Sequence, residues 1–275
     1  MAIRRWAVLG AALVAATTIT GAALAVGPWP GLARTVAAPS GDGRYSATTA
    51  NGTTTVKAIG AGGVIASATF DGAYGIPAIT STGVAGGLSP DGRMLVLAEP
   101  PTYEGLRERS SFLVLATGSL SQVAAITLPG EFGFDAVSPD RRTLYLIQHT
   151  SSADLVRYAV RAYDLRARRL VPGAIVDKRA PDETMRGYPV ARATSSKGAW
   201  VYTLYIRPTN GQMPFVHALN AAKRSAFCID LPRWRGRTDE FGGGLRLTKD
   251  GRTLVVRTRN GATAATIDTR TLLAR

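Results

Sequence analysis

The stretch Gly87–Glu99 reads GLSPDGRMLVLAE and places a Ser-Pro-Asp-Gly turn between a small-residue strand and an apolar run. Proline suits the second position of a type I turn, aspartate bonds back to the backbone, and glycine accepts a positive φ. The pattern returns at Asp135–Gln148 (DAVSPDRRTLYLIQ) and Leu245–Arg257 (LRLTKDGRTLVVR), with weaker copies at Ala191–Leu204 and Thr35–Thr48. We therefore expect the turn aspartates to build structure rather than to catalyse.

The repeated turns are separated by 49, 49, 57 and 53 residues, counted between Ser40, Ser89, Ser138, Ser195 and Thr248. Each interval holds four short apolar or β-branched runs, and a propeller blade of four strands needs a similar length. Runs such as Leu144–Ile147 are apolar at consecutive positions, as expected of strands covered on both faces. The sequence therefore predicts an all-β fold, a β-propeller of about five four-stranded blades over residues 32–275. Six or seven blades, or another all-β arrangement, remain open.

The segments SPDGRMLVLAE, SPDRRTLYLIQ and TKDGRTLVVR resemble the repeat of TolB-like and YVTN-type β-propellers. Tyr163-Asp164-Leu165 and Ala218-Leu219-Asn220 are similar to the ending of the third strand in those repeats. The resemblance implies that the turn joins the innermost strand of a blade to the second strand. These families usually have six or seven blades, include both binding scaffolds and enzymes, and share no catalytic motif. The resemblance therefore implies a fold and no particular activity.

The N-terminus carries the features of an export signal. Arg4 and Arg5 precede an uncharged run that ends in Ala23-Leu24-Ala25, which predicts a signal peptide over residues 1–25. The alternative is a retained membrane anchor over residues 6–26, because the uncharged run is long enough to cross a bilayer. Both interpretations place the folded domain outside the cytoplasm, either extracellular or at the cell envelope.

The charge and the single cysteine limit the partners. The chain has 33 basic and 19 acidic residues, a net charge of +14, which favours anionic partners. Because export argues against nucleic acid, we expect an envelope protein or an anionic glycan or other polymer, and a monomeric chain. Cys228 has no second cysteine to pair with and lies in an apolar run, so we expect it in the core. The sequence has no pattern for a metal or another cofactor.

Function is expected on the face opposite the Ser-Pro-Asp-Gly turns, because the long loops emerge there. Aromatic and arginine side chains dominate binding energy at such surfaces. The predicted binding residues on this face are Tyr103, Phe132, Arg186, Tyr188, Trp234, Arg235 and Phe241. An ordinary solvated rim would have a similar composition.

The sequence leaves two functions open. The first is an exported, non-catalytic protein- or glycan-binding module at the cell envelope. The second is an extracytoplasmic hydrolase of a glycan or lactone, which as a glycosidase would need two carboxylates across the scissile bond. Glu131, Asp135 and Glu240 are the candidate catalytic acids, because they lie at or near the entry to innermost strands. Acids that share one central funnel would favour the hydrolase, and acids paired with arginine would disfavour it.

Overall fold

The computed structural model describes residues 30–102, 105–208 and 212–275, so the predicted signal or anchor at 1–25 lies outside the described residues. The described chain is built of β-strands, with two short 3-10 helices at Pro232–Trp234 and Thr238–Glu240. The strands in chain order are β1 (Leu32–Ala33), β2 (Thr35–Ala37), β3 (Gly43–Ala50), β4 (Thr53–Gly60), β5 (Gly63–Asp71), β6 (Ile76–Pro77), β7 (Met94–Ala98), β8 (Arg109–Ala116), β9 (Ser121–Pro129), β10 (Glu131–Val137), β11 (Thr143–His149), β12 (Tyr158–Asp164), β13 (Arg169–Leu170), β14 (Tyr188–Thr194), β15 (Trp200–Arg207), β16 (Met213–Asn220), β17 (Ser225–Asp230), β18 (Phe241–Leu247), β19 (Thr253–Thr258), β20 (Thr263–Asp268) and β21 (Leu273–Ala274).

The strands form antiparallel sheets that follow one another along the described chain. The first sheet is β2–β5, the second is β7–β9, the third is β10–β13, the fourth is β14–β17 and the fifth is β18–β21. Strands within each sheet lie in sequence order, and neighbouring strands are antiparallel. The strand pair β1–β6 lies beside the second sheet. The predicted all-β class is confirmed, together with its antiparallel sheets of four strands.

The second sheet lacks the regular inner strand that the sequence predicted just before the Ser89 turn. Only isolated pairs form there, between Ala78 and Ala85 and between Leu88 and Leu95. Gly87 explains the irregularity, because its φ is +90° and a Cβ there would lie 2.4 Å from the carbonyl oxygen of Val96. Such close backbone approach is available to glycine alone, so the prediction of a regular strand was wrong at this position.

A hydroxyl network fixes the repeated turn. Ser89 donates a hydrogen bond of 2.7 Å to the Asp91 carboxylate and accepts one of 3.0 Å from the Met94 amide. The pair Ser138 and Asp140 repeats this bond at 2.5 Å, and Thr248 and Asp250 repeat it at 2.6 Å. The hydroxyl bond is also the main cause that lowers the pKa of Asp140 and of Asp250. The turn aspartates therefore build structure, as the sequence predicted.

Four apolar clusters fill the spaces between consecutive sheets. Representative pairs across the four spaces are Val56 with Leu97, Phe112 with Leu144, Tyr145 with Phe215, and Leu204 with Val256. Each inner sheet therefore has core on both faces, which explains its consecutive apolar residues.

The two end sheets each have one face that no core covers. Within the described residues, no apolar cluster joins the fifth sheet to the first. The register places Thr55 and Lys57 on this face of the first sheet, and Val255 and Arg257 on that of the fifth. None of these four residues is buried. Three of the four are polar or charged, which suits contact with water.

The long loops share one end of the sheets, which we call the loop face. Glu131 pairs with His149, and His149 pairs with Tyr158, so the start of β10, the end of β11 and the start of β12 lie together. The Ser138 turn lies at the other end of the same strands. This arrangement agrees with the sequence prediction and positions both sites described below. In the part of the chain that the structure describes, we find no helix with the length and apolar character needed to cross a membrane.

Candidate functional site

A small cavity lies on the loop face between the β1–β6 pair and the second, third and fourth sheets, and we call it the axial cavity. Its volume is about 50 Å³, room for a few water molecules, whereas ligand pockets usually measure about 300–1,000 Å³. Its polar lining comes from Glu99, Arg107, Glu131, Asp135, His149, Tyr158, Arg192 and Tyr205. The cavity is therefore too small for a sugar ring, although two of the three candidate acids line it.

Glu131 is fully engaged by Arg107. The Glu131 side chain is 3% exposed, and its Oε1 lies 2.7 Å from Arg107 Nη2. Its Oε2 accepts hydrogen bonds from the Arg107 backbone amide at 3.0 Å and from Arg107 Nε at 2.9 Å. A bidentate ion pair with an additional amide bond satisfies a buried carboxylate. Arg107 therefore neutralises the buried charge of Glu131.

Asp135 forms a second buried ion pair, with Arg192 of β14. The two side chains are 4% and 7% exposed, and the Asp135 Oδ1 accepts a hydrogen bond from Arg192 Nη2. Arg192 also donates from Nη1 to the Asp135 carbonyl oxygen at 3.0 Å, while its Nε has no partner in the described chain. The pair joins the third sheet to the fourth.

Glu240 lies outside the axial cavity, on the chain that enters β18. Its carboxylate accepts hydrogen bonds of 2.6 and 3.0 Å from Arg237, and both side chains are exposed. The three candidate acids are therefore not brought together, and each one is paired with an arginine. This arrangement lacks the free carboxylate pair that a glycosidase needs.

A larger depression lies on the same face where the fourth and fifth sheets meet the loop after β6. We call it the loop-face groove, and its volume is about 550 Å³, within the range of ligand pockets. Tyr188 and Phe241, two of the predicted binding residues, both border it. The complete lining is Ser81, Thr82, Tyr188, Val190, Ile206, Gln212, Thr238, Asp239, Phe241 and Arg259.

Backbone bonds hold one wall of the groove in place. The Ser81 amide and hydroxyl both donate to the Pro189 carbonyl, at 2.8 and 2.9 Å. The Thr82 hydroxyl donates to the Val190 carbonyl at 3.2 Å. These bonds tie a loop near the second sheet to the inner strand of the fourth sheet, so the hydroxyls have fixed positions.

The opposite wall is held by the chain before and within the fifth sheet. Thr238 donates a hydrogen bond to the Gln212 side chain, and Arg259 donates from Nε to the Phe241 carbonyl at 3.2 Å. The Asp239 side chain has no hydrogen bond or salt bridge among the described residues. The groove thus offers an unpaired carboxylate beside a partly engaged guanidinium.

Trp234 supports the aromatic side of the groove. Its Nε1 donates to the Ala264 carbonyl at 2.9 Å, and its ring meets Phe241 edge-on with centroids 5.3 Å apart. The guanidinium of Arg237 lies 4.5 Å above the Trp234 ring. Trp234 therefore positions Phe241, which is 4% exposed, and Tyr188 is the more accessible of the two aromatic residues in the groove lining.

The remaining predicted binding residues lie elsewhere. Phe132 is 1% exposed and packs in the core between the second and third sheets, where its ring cannot contact a large ligand. Arg186 pairs with Asp154 at 2.9 Å, and the exposed Arg235 lies 3.7 Å from the Met213 sulfur. Tyr103 lies outside the described residues. Sequence reasoning missed the contributions of Ser81, Thr82 and Arg259, which carry no local motif.

Comparisons with known proteins concern the fold. No protein-family model and no curated protein matches this sequence. Among solved structures, the Dos1 propeller matches with a TM-score of 0.51 and 10% identity, covering 88% of this chain and 56% of the Dos1 chain. The fold is that of a β-propeller.

Two other solved structures are similar to this propeller. TolB from Acinetobacter baumannii has 12% identity and a TM-score of 0.46, covering 89% of this chain and 53% of its own. A putative 6-phosphogluconolactonase from Bacteroides uniformis has 15% identity and a TM-score of 0.46, with coverage of 88% and 68%. Both similarities are of fold, and this chain spans only about half of the TolB chain.

Proposed function

We propose that this chain is an exported five-bladed propeller that acts as a non-catalytic binding module at the cell envelope and binds a glycan in the loop-face groove. The observation that carries the proposal is the contrast in volume and pairing between the two sites. The groove has the volume of a ligand pocket, whereas the candidate catalytic acids are paired with arginines. We do not favour the hydrolase, because the axial cavity would not admit its substrate.

The groove lining suits a carbohydrate. Tyr188 supplies accessible aromatic surface for the apolar face of a sugar ring and is positioned by β14, while Phe241 is buried at the border of the groove. Ser81 and Thr82 supply fixed hydroxyls, while Asp239 and Arg259 supply charged partners for sugar hydroxyls or carboxylates. The net charge of +14 favours an acidic glycan over a neutral one.

Isothermal titration of the full chain with oligogalacturonate and with a neutral glucan oligosaccharide tests the ligand. We expect saturable binding of at least one probe, tighter for oligogalacturonate, and about tenfold weaker binding after Tyr188→Ala. Arg270→Gln is the matched control, because Arg270 is exposed in the turn at the other end of the fifth sheet. If the Tyr188→Ala protein bound the oligosaccharides as tightly as the unaltered protein, the groove would not be the binding site. Tyr188-dependent capture of an envelope protein, with no glycan bound, would replace the glycan with a protein partner.

Fractionation of cells that express the full chain tests export. The basic start and the uncharged run are the support for an exported chain, and we expect a mature N-terminus after Ala25. Replacing the run's Leu24 and Ala25 with arginine should leave the chain in the cytoplasm. A cytoplasmic location for the unaltered chain would contradict the envelope proposal and leave the groove experiment interpretable.

A further inference from the structure

Three side chains with soft or nitrogen ligand atoms meet in the core between the third and fourth sheets. His217 of β16 lies opposite Cys228 of β17 in the sheet register, and Met185 precedes β14. The Cys228 Sγ lies 3.7 Å from the Met185 Sδ and 3.8 Å from His217 Nδ1. All three side chains are buried, with exposures of 9%, 6% and 2% for Cys228, Met185 and His217. We call this set the Cys–Met–His cluster.

The ring nitrogens of His217 lack strong hydrogen-bond partners in the described chain. Its Nε2 has no hydrogen-bond partner within the described chain, and its Nδ1 has only the long contact with sulfur. Nδ1 is the ring nitrogen that faces the Cys228 sulfur, so it is the nitrogen available to an ion shared with that sulfur.

The two distances match those of ligands that share one metal ion. With metal–sulfur bonds of about 2.3 Å and a metal–nitrogen bond of about 2.0–2.1 Å, a trigonal site places its sulfurs about 4.0 Å apart. The same bond lengths place sulfur and nitrogen about 3.8 Å apart. The observed separations of 3.7 and 3.8 Å are close to both values.

The donor set selects a soft ion. Thiolate and thioether ligands favour Cu(I), whereas carboxylate and carbonyl oxygens favour Mg²⁺ or Ca²⁺. No group of three or more His, Cys, Asp and Glu side chains in the described ranges could hold a metal ion. The cluster differs from such a group because its third ligand is a thioether, which zinc sites do not normally use.

Acidic side chains lie near Cys228, together with their own basic partners. The Cys228 amide donates to Asp177 Oδ2 at 2.8 Å, and Arg179 donates to the Cys228 carbonyl. Glu183 and Asp230 both pair with Arg207.

We propose that Cys228, Met185 and His217 form a binding site for one soft monovalent cation, Cu(I). Binding replaces the Cys228 S–H bond with a Cu–S bond and releases the proton to solvent, and no electron is transferred. Met185 Sδ and His217 Nδ1 each add a lone pair to the same ion. The site does not depend on the groove that binds glycan in the function proposed above.

Anaerobic competition between the reduced full chain and a coloured Cu(I) chelator tests the site. We expect one equivalent of Cu(I) to transfer to the protein, and X-ray absorption to show two sulfur ligands and one nitrogen ligand. Zn(II) at the same concentration should not displace it. No transfer from the chelator, or displacement of Cu(I) by Zn(II), would overturn the proposal.

Variants test whether Cu(I) binds at this cluster rather than at another sulfur-containing side chain. Cys228→Ser should abolish the transfer, and Met185→Leu, which conserves side-chain volume, should weaken Cu(I) binding by roughly 10–100-fold or more. Met94→Leu is the matched control, since Met94 is 8% exposed in another core and should leave binding unchanged. Near-ultraviolet circular dichroism checks that each variant is folded. Unchanged Cu(I) affinity in a folded Met185→Leu protein would refute the cluster as the site.

Discussion

The axial cavity and the loop-face groove lie on the same face of the propeller, but their charged groups have different partners. In the cavity, Glu131 and Asp135 each face an arginine that is itself mostly buried. In the groove, the Asp239 carboxylate has no hydrogen bond or salt bridge among the described residues. A cluster of acids therefore marks a candidate site only where the protein has not already supplied their counterions.

Removing a cavity arginine should have the largest effect. Arg192→Leu leaves Asp135 buried without a counterion, which should lower the free energy of unfolding by about 3–5 kcal/mol. Urea denaturation of the variant measures the loss. Arg141→Ala is the control, because its ion pair with Asp91 is partly exposed and should contribute only about 0–1 kcal/mol. A loss at Arg192 as small as that at Arg141 would contradict a structural role for the cavity pair.

Acidification should weaken the folded protein through its two buried histidines. Burial lowers the pKa of His149, which lines the axial cavity, to about 3, and that of His217 to about 4. Below the unfolded value of about 6.5, the unfolded chain binds protons that the folded chain does not, so stability falls as the pH falls. The stabilising contribution is complete above the unfolded pKa and is lost progressively towards pH 4 and then pH 3.

The size of the pH effect follows from the same shifts. Between pH 6.5 and 5, the two histidines together should reduce the free energy of unfolding by about 3 kcal/mol. Urea denaturation at several pH values measures this slope. Replacing His149 with glutamine should remove about half of it, whereas groove variants should leave it unchanged. A slope that is identical with and without His149 would show that the cavity histidine does not contribute.

Groove variants should change binding more than stability. Asp239→Asn and Arg259→Gln remove charges from exposed side chains, so each should alter the free energy of unfolding by no more than about 0.5 kcal/mol. Each should weaken oligogalacturonate or glucan binding by roughly threefold to tenfold, because a charged partner is lost from a preformed pocket. Titration calorimetry and thermal unfolding provide the two measurements. A large loss of stability with unchanged affinity would reverse the assignments of cavity and groove.

Glu240 should be the least sensitive of the candidate acids. Its ion pair with Arg237 is exposed, so Glu240→Gln should reduce stability by only about 0.2–1 kcal/mol. Affinity for the glycan probe should not change. Loss of a hydrolytic activity in this variant would instead support the alternative function that we set aside.

The sequence predicted the parts of the fold that depend on neighbouring residues. The turn at Ser89 and its copies combine proline, aspartate and glycine within four positions, and the same hydrogen bonds recur in the structure. The irregular segment around Gly87 was missed, because its conformation depends on the carbonyl of Val96 in the next strand.

The sites were harder to predict because their partners are distant in sequence. Glu131 and Arg107 are 24 residues apart, and Asp135 and Arg192 are 57 apart. An acid near a strand entry looks the same in sequence whether or not an arginine reaches it. The loop-face groove needs Ser81 and Phe241 on one surface, a proximity that only the packing of sheets creates. Tyr188 and Phe241 were named from the sequence and both border the groove, while their role in binding stays a prediction.

No apolar core among the described residues joins the first and fifth sheets, and this limits the cooperativity of unfolding. The four cores link each sheet only to its neighbours in the chain, which is the arrangement of a linear repeat array. In such an array, an end sheet opens by breaking one interface, whereas an inner sheet must break two. Amide hydrogens of β3 and β19 should therefore exchange with solvent sooner than those of β11 and β15. The axial cavity and the Cys–Met–His cluster involve the slowly exchanging sheets, and the loop-face groove lies beside one that opens early.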